Sequence, residues 1–240
     1  MSESDVTEEN IGLARMLQRR LHGGERIDSD EVRKAQDRFK AMKQRFMPLN
    51  DDHLDLLFRE ARTQYAWQDK EVSESMLREI YDLTKMGSTS LNSCPARFVF
   101  LRDTSSKQRL KMALTGNNIE KIMSAPVVVI IAHDTHFFES LDFLAPYADL
   151  KPMFVGNPAA AEVTAFRNGT LQGAYLMMAA KALGLDCGPM SGFDNSLIDQ
   201  EFFADSDIRS NFLCCLGYGD PGRLFQRLPR FDFDSVCEML

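Results

Sequence analysis

The sequence predicts a mixed helix-and-strand domain preceded by a helical extension. Three observations predict it: apolar runs of strand length, apolar stripes at helical spacing, and a change of composition near residue 50. At 240 residues, 44% of them apolar and 26% charged, the chain is long enough to bury a sizeable core. Residues 1–50 carry ten Lys and Arg against nine Asp and Glu, so the net charge of -7 resides in 51–240.

In the extension, Ala14, Leu17 and Leu21 suggest a short helix that His22, Gly23 and Gly24 interrupt. A second stripe, Val32, Ala35, Phe39, Met42 and Phe46, alternates steps of three and four behind Asp30 and Glu31. It fits a short coiled coil or a helix docked on the body of its own or a partner subunit. A helical segment at 54–61 opens the main domain. Ser73 as N-cap and Glu74 in the first turn begin another helix, whose face is Leu77, Ile80, Tyr81 and Thr84 and which Gly87 ends. A strand at 97–102 and short helices at 107–114 and 119–124 follow. Residues 127–132 are apolar at every position and predict a central strand. Asn157 and Pro158 start a long helix over 157–183, apolar nearly all round. Gly169 and Gly173 inside it each cost about 1 kcal/mol relative to Ala, which close packing against another helix or chain would offset. A last strand, 212–216, sets Cys214 and Cys215 on opposite faces.

Composition excludes several classes. An acidic chain without a basic face does not suit nucleic acid. No apolar run approaches the roughly 20 residues a membrane-spanning helix needs. The opening MSESDVTEEN lacks the apolar core of a secretory signal. Five cysteines without a CxxC pair fit neither a disulfide framework nor a zinc site, and a reduced, cytoplasmic protein is expected. His133 and His136 have no third ligand at a telling spacing, so no metal is expected. No nucleophile elbow, P-loop or GxGxxG fingerprint occurs.

What remains is a set of polar loops. Residues 87–98, GSTSLNSCPARF, put Ser88, Thr89, Ser90 and Asn92 between a helix and a strand, where short polar groups can hold a ligand close to the backbone. Arg59 with Arg62, Asn118 with Lys121, and Arg227 with Arg230 bring cations and an amide near turns, the usual means of holding a phosphate. Residues 187–193, CGPMSGF, offer backbone N–H groups to a planar heterocycle or an anion.

In this order the pieces resemble the FMN-dependent nitroreductase family. The family's leading Arg, its hydroxyl-rich loop, its Asn-x-x-Lys element, its Pro-x-x-Gly-Phe-Asp turn and its Leu-Pro-Lys/Arg ending read here as Arg62, Ser88 to Ala96, Asn118 with Lys121, Pro189 to Asp194, and Leu228-Pro229-Arg230. The phrases ARTQYAW, SCPARFVF, AFRNGTLQGAYL, CGPMSGFD and LGYGD look like the branch that reduces malonic semialdehyde in bacterial pyrimidine catabolism. The resemblance covers 52–240. It implies an α+β fold with a mixed, mainly antiparallel sheet flanked by helices, built as an intertwined homodimer. It implies FMN as cofactor, NADH or NADPH as donor, and ping-pong hydride transfer to a small-molecule acceptor: malonic semialdehyde, giving 3-hydroxypropionate, or a nitroaromatic or quinone. By position, Arg62, Lys121 and Arg230 would hold the phosphate and ribityl end or balance flavin charge, with Thr63 and Gln64 beside Arg62. Asn118 would meet the pyrimidine, and Ser88, Thr89, Ser90 and Asn92 would come from the partner subunit. Pro189, Met190, Ser191 and Gly192 would line the isoalloxazine. The chain departs from the pattern at Gln64, Ala66, Cys94, Ala96 and Asp232, which leaves fewer cations for a phosphate unless Arg59 or Arg227 substitutes.

Overall fold

A computed structural model describes residues 30–240 apart from 115, 117 and 147. The expected short helix around Ala14, Leu17 and Leu21 lies outside the described residues. The helices of seven residues or more are α1 (Asp30–Arg45), α2 (Glu74–Thr84), α3 (Asn118–Ser124), α4 (Pro158–Ala182) and α5 (Asn195–Phe202). The strands are β1 (Ala96–Leu101), β2 (Val127–Asp134), β3 (Asp186–Met190) and β4 (Ile208–Gly217). They form one sheet in the order β1-β2-β4-β3. The α+β class and the mainly antiparallel sheet are as expected, and every strand pairing among the described residues is antiparallel.

Alternation along β2 explains the layering. Val127, Val129 and Ile131 pack with Leu77 and Ile80 of α2 and with Leu176, Ala179 and Ala180 of α4. Val128, Ile130 and Ala132 pack on the other face with Ile122 of α3 and Ile198 of α5. A side chain such as Ile130, fully buried, contributes on the order of 1.5–3 kcal/mol. Cys214 joins the first cluster and Cys215 the second, on opposite faces as expected.

The caps read from sequence form. Ser73 accepts from the Met76 N–H at 3.2 Å, and Asn157 from the Ala160 N–H at 3.2 Å. Three expectations need correction. The 54–61 segment is a short helix, Asp51–Leu54, running into a π-turn, Asp55–Arg59. The 107–114 helix breaks into Thr104–Gln108 and a 3-10 turn, Lys111–Ala113. The 187–193 stretch, expected as a loop offering backbone N–H groups, begins inside strand β3; Pro189 is tolerated there because β3 is an edge strand.

The glycines of α4 are compensated by the sheet rather than by another helix. A Cβ at Gly169 would come 2.8 Å from the Cβ of His133 on β2, and one at Gly173 would come 2.6 Å from the Phe212 ring on β4. The helix is unusual in another respect. It buries Asn168 and Gln172, while Val163, Phe166 and Leu171 are exposed. Among the described residues no helix is long and apolar enough to cross a membrane.

Candidate functional site

At the β3 edge, four remote segments meet. The segment after the π-turn runs beside β3, with the Gln64 N–H donating to Cys187 O at 3.0 Å and Trp67 bridging Gly219. Helix α3 crosses above. Asn118, at its first turn, donates from Nδ2 to Gly192 O at 2.9 Å. Lys121, one turn on, points Nζ at Pro189 O at 3.3 Å and lies 4.7 Å from the centre of the Tyr65 ring. Gly188 makes this approach possible, because a Cβ there would stand 2.7 Å from both Gln64 O and Lys121 Cε.

Lys121 is the electrostatic anomaly of this edge. Its residue is 5% exposed, and it forms no ion pair with any described carboxylate. Burial lowers its pKa from the usual 10.5. The neighbouring Cys215 is no counter-ion, since burial pushes its thiol up to about 12 and leaves it neutral. An ammonium buried beside a carbonyl, an aromatic face and two neutral thiols would gain from an anionic or electron-rich ligand. Of the other residues expected here, Gln64 is buried against Gly219, Thr63, Ser191 and Gly192 are exposed, and Pro189 and Met190 are partly covered.

The cations nearby are already engaged to different degrees. Arg62 donates to Arg59 O and Ala61 O, each at 3.2 Å, and pairs with Glu60 at 3.2 Å. Arg59 is bound to Asp51 at 2.6 Å and Asp55 at 3.2 Å. Arg227 reaches back to the carbonyls of Phe58 and Ala61, both at 2.9 Å, and of Arg59. Arg59 and Arg227, like Arg62, are thus held on the π-turn and the segment just after it. Arg230 is exposed and donates to Leu228 O and Pro229 O.

The hydroxyl-rich loop belongs to the other edge, just before β1. It is strained and tied down: Leu91, Asn92 and Cys94 have φ of 56°, 52° and 39°. Asn168 Oδ1 accepts the Ser90 N–H at 2.8 Å, and Gln172 Oε1 accepts the Ala96 N–H at 2.9 Å. Tyr175 donates its hydroxyl to Ser88 O at 2.9 Å, and Asn92 donates to Leu144 O at 2.7 Å. Thr89 Oγ1 accepts the Cys94 N–H at 3.2 Å. Ser88, Ser90 and Asn92 themselves are exposed. Three strand spacings, about 14 Å, separate this loop's edge from that of Lys121, so one chain does not bring the two groups together. Asn168, Gln172 and Tyr175 are not among the sequence candidates; the signal for the first two is a pair of amides four residues apart, hence on one face of the helix.

His133 and His136 face carboxylates: His133 Nε2 lies 3.2 Å from Glu162 and His136 Nδ1 lies 3.1 Å from Asp207.

This architecture, an antiparallel four-stranded sheet between helices with polar loops at both edges, is that of flavin reductases of the nitroreductase type. It is shared with a Staphylococcus epidermidis protein provisionally described as an NAD(P)H:FMN oxidoreductase (TM-score 0.71, 19% identity, covering 81% of this chain and 98% of that one). It is also shared with an Exiguobacterium sibiricum protein provisionally described as a nitroreductase, in complex with FMN (TM-score 0.67, 17% identity, 81% and 100% covered). The sequence profile of the nitroreductase family matches residues 58–218, and the chain belongs to that family. A Burkholderia lata protein with the provisional name NADH dehydrogenase/NAD(P)H nitroreductase is 56% identical over 191 residues, 80% of this chain and 98% of that protein. HadB of Ralstonia pickettii, provisionally named in the same way, is 54% identical over 189 residues, 78% and 96% covered. The overlap with the B. lata protein leaves 49 of the 240 residues unmatched, and the profile begins well after α1.

Proposed function

We propose that the protein is an FMN-dependent oxidoreductase that uses NADH or NADPH to reduce a small acceptor by ping-pong exchange, working as a two-fold homodimer in the cytoplasm. The observation that carries this reading is Lys121, a buried cation without a carboxylate, packed against a glycine that leaves room for nothing larger. FMN, when bound, supplies a ring that accepts hydride from the nicotinamide and passes it to the acceptor.

The chain's own residues hold, orient and shield. Lys121 places positive charge where a bound anionic ligand gains electrons, and its burial strengthens that interaction. Asn118, already oriented by Gly192 O, offers an amide edge to a heterocycle. Pro189, Met190, Ser191 and Gly192 form a wall whose backbone is fixed by β3 and α3. Arg62 and Arg230 are the cations for a phosphate, and Thr63 and Gln64 continue the strip beside Arg62. Ser88, Thr89, Ser90 and Asn92 serve the site of the partner subunit. Two features support a dimer: the site divided between sheet edges, and the exposed Val163, Phe166 and Leu171 on an α4 that turns its amides inward. Five free cysteines fit a reducing compartment. Residues 51–240 form the catalytic domain in this reading, with 1–50 as an extension. The likeness to the malonic semialdehyde branch supports that aldehyde as acceptor.

The test is the visible spectrum of the purified protein before and after anaerobic NADH. A flavin spectrum that bleaches is expected; a colourless protein that FMN does not reconstitute overturns the reading. Reoxidation by malonic semialdehyde, a nitroaromatic and a quinone then ranks acceptors. An aldehyde slower than both others removes it as the substrate and leaves the reductase class standing.

A further inference from the structure

Helix α1 carries a surface that the family domain does not account for. None of its residues is buried; Phe39 is 57% exposed, Met42 46% and Phe46, just past its end, 59%. Val32, Ala35, Phe39, Met42 and Phe46 occupy an arc of about 80° at 100° per residue, the width of a coiled-coil seam with Val32, Phe39 and Phe46 at a and Ala35 and Met42 at d. The ammonium of Lys43 lies 5.7 Å from the Phe39 ring and 5.0 Å from the Phe46 ring, so the two rings sit side by side on that face.

The flanks say what fits. Heptad positions e and g hold Glu31, Gln36, Arg38, Lys43 and Arg45. Arg38, Lys43 and Arg45 form no ion pair among the described residues, whereas Arg33 and Lys40 on the outer face pair with Asp30 and Asp37. A second copy of α1 is a poorer occupant than an acidic partner: in parallel register Arg38 meets Lys43, and in the overlapping antiparallel register Arg38 meets its own copy, with Glu31 facing Arg45 as the only compensation. Residues 11–21 are equally unsuited by charge, with Arg15, Arg19 and Arg20 and no acid. A lipid surface is a weaker occupant because Asp30, Glu31 and Asp37 lie among the basic residues and reduce the pull of anionic headgroups. We propose that α1 is a docking helix for another protein, whose matching segment is an amphipathic helix with an apolar heptad seam flanked by Asp and Glu.

The experiment uses the full-length protein and a fluorescein-labelled peptide of three heptads with Ile at a, Leu at d and Glu at e and g. A second peptide carries Lys at e and g, and phosphatidylserine vesicles form a third arm. By fluorescence anisotropy, saturable binding of the Glu peptide is expected, about tenfold or more tighter than the Lys peptide. Phe39→Asp with Met42→Asp should weaken it about tenfold. Arg38→Glu with Lys43→Glu and Arg45→Glu, which keeps the seam, should transfer the preference to the Lys peptide. NADH oxidation, unchanged in all variants, checks that the domain is folded. Equal binding of both peptides, no response to charge reversal, or capture by vesicles with neither peptide bound overturns the proposal.

Discussion

The two edges of the sheet solve the problem of presenting polar groups in opposite ways. At the β3 edge, Gln64, Lys121 and Gly188 come from separate stretches of the chain and are mutually buried, so the geometry is closed within one protomer. At the β1 edge, the polar groups of 88–92 stay exposed while their backbone is held by Asn168, Gln172 and Tyr175 from behind. One edge closes its polar groups together; the other leaves them exposed on a backbone held from behind. Under the proposed shared site, a loop stiffened by Leu91 and Cys94 at positive φ would reach a partner as an arm, with little loss of conformational freedom.

The strongest way to break this contrast is to remove the buried cation. Lys121→Met keeps an unbranched apolar side chain and deletes the charge. NADH oxidation should fall by about 10²–10³-fold, with the fold intact by circular dichroism. The pH dependence sharpens the point, because two signs oppose each other. Ligand binding that uses the ammonium is present below the Lys121 pKa and is lost as pH rises through it, earlier than for a lysine at the usual 10.5. The ligand-free fold behaves in reverse: between the lowered folded pKa and the unfolded one, the unfolded chain binds more protons, so stability rises with pH in that window. FMN titrations and denaturant unfolding across alkaline pH should therefore trend in opposite directions, and Lys121→Met should flatten both.

The next effect tests the arm. Asn168→Ala leaves the Ser90 N–H without its acceptor, and Gln172→Ala does the same to the buried Ala96 N–H; each should cost about 1–3 kcal/mol in unfolding free energy. The informative readout is mixing. If the arm serves the partner's pocket, heterodimers of Asn168→Ala with Lys121→Met should retain one impaired site carrying both defects and one site carrying neither. About half the activity per dimer would then persist. Activity near zero would mean that each site carries one of the two defects, as it would if the arm served its own chain's site.

How much of this the sequence carries depends on what local chemistry records. Strand β2 is legible because unbroken β-branched residues have one sensible place, the sheet centre, and Asn157 with Pro158 marks the start of α4 by capping chemistry alone. Strand β3 is not legible, because Gly188 and Pro189 have the composition of a turn and only the edge position permits them. Asn118, Lys121 and the 187–193 stretch are legible as polar groups near turns, and the family likeness adds roles to them, but the missing counter-ion is a property of packing. Arg59 and Arg227 look like phosphate cations in one dimension. Only the fold reveals that one is bound to Asp51 and Asp55 and that the other caps the π-turn.

The smallest expected effect separates the two remaining cations. Arg62 is partly buried and tethered to the turn beside the pocket, whereas Arg230 is exposed and donates to the carbonyls just before it. Arg230→Ala should change unfolding free energy by no more than about 0.5 kcal/mol and weaken FMN by about threefold, as befits a solvated charge. Arg62→Ala should weaken FMN by about tenfold or more, because a held guanidinium loses less entropy on meeting a phosphate. Riboflavin, which lacks the phosphate, supplies the control: its affinity should be unchanged in both variants. If Arg230→Ala instead proves the more damaging, the phosphate rests on the C-terminal segment, and the turn after the π-helix keeps only a structural part in the β3 edge.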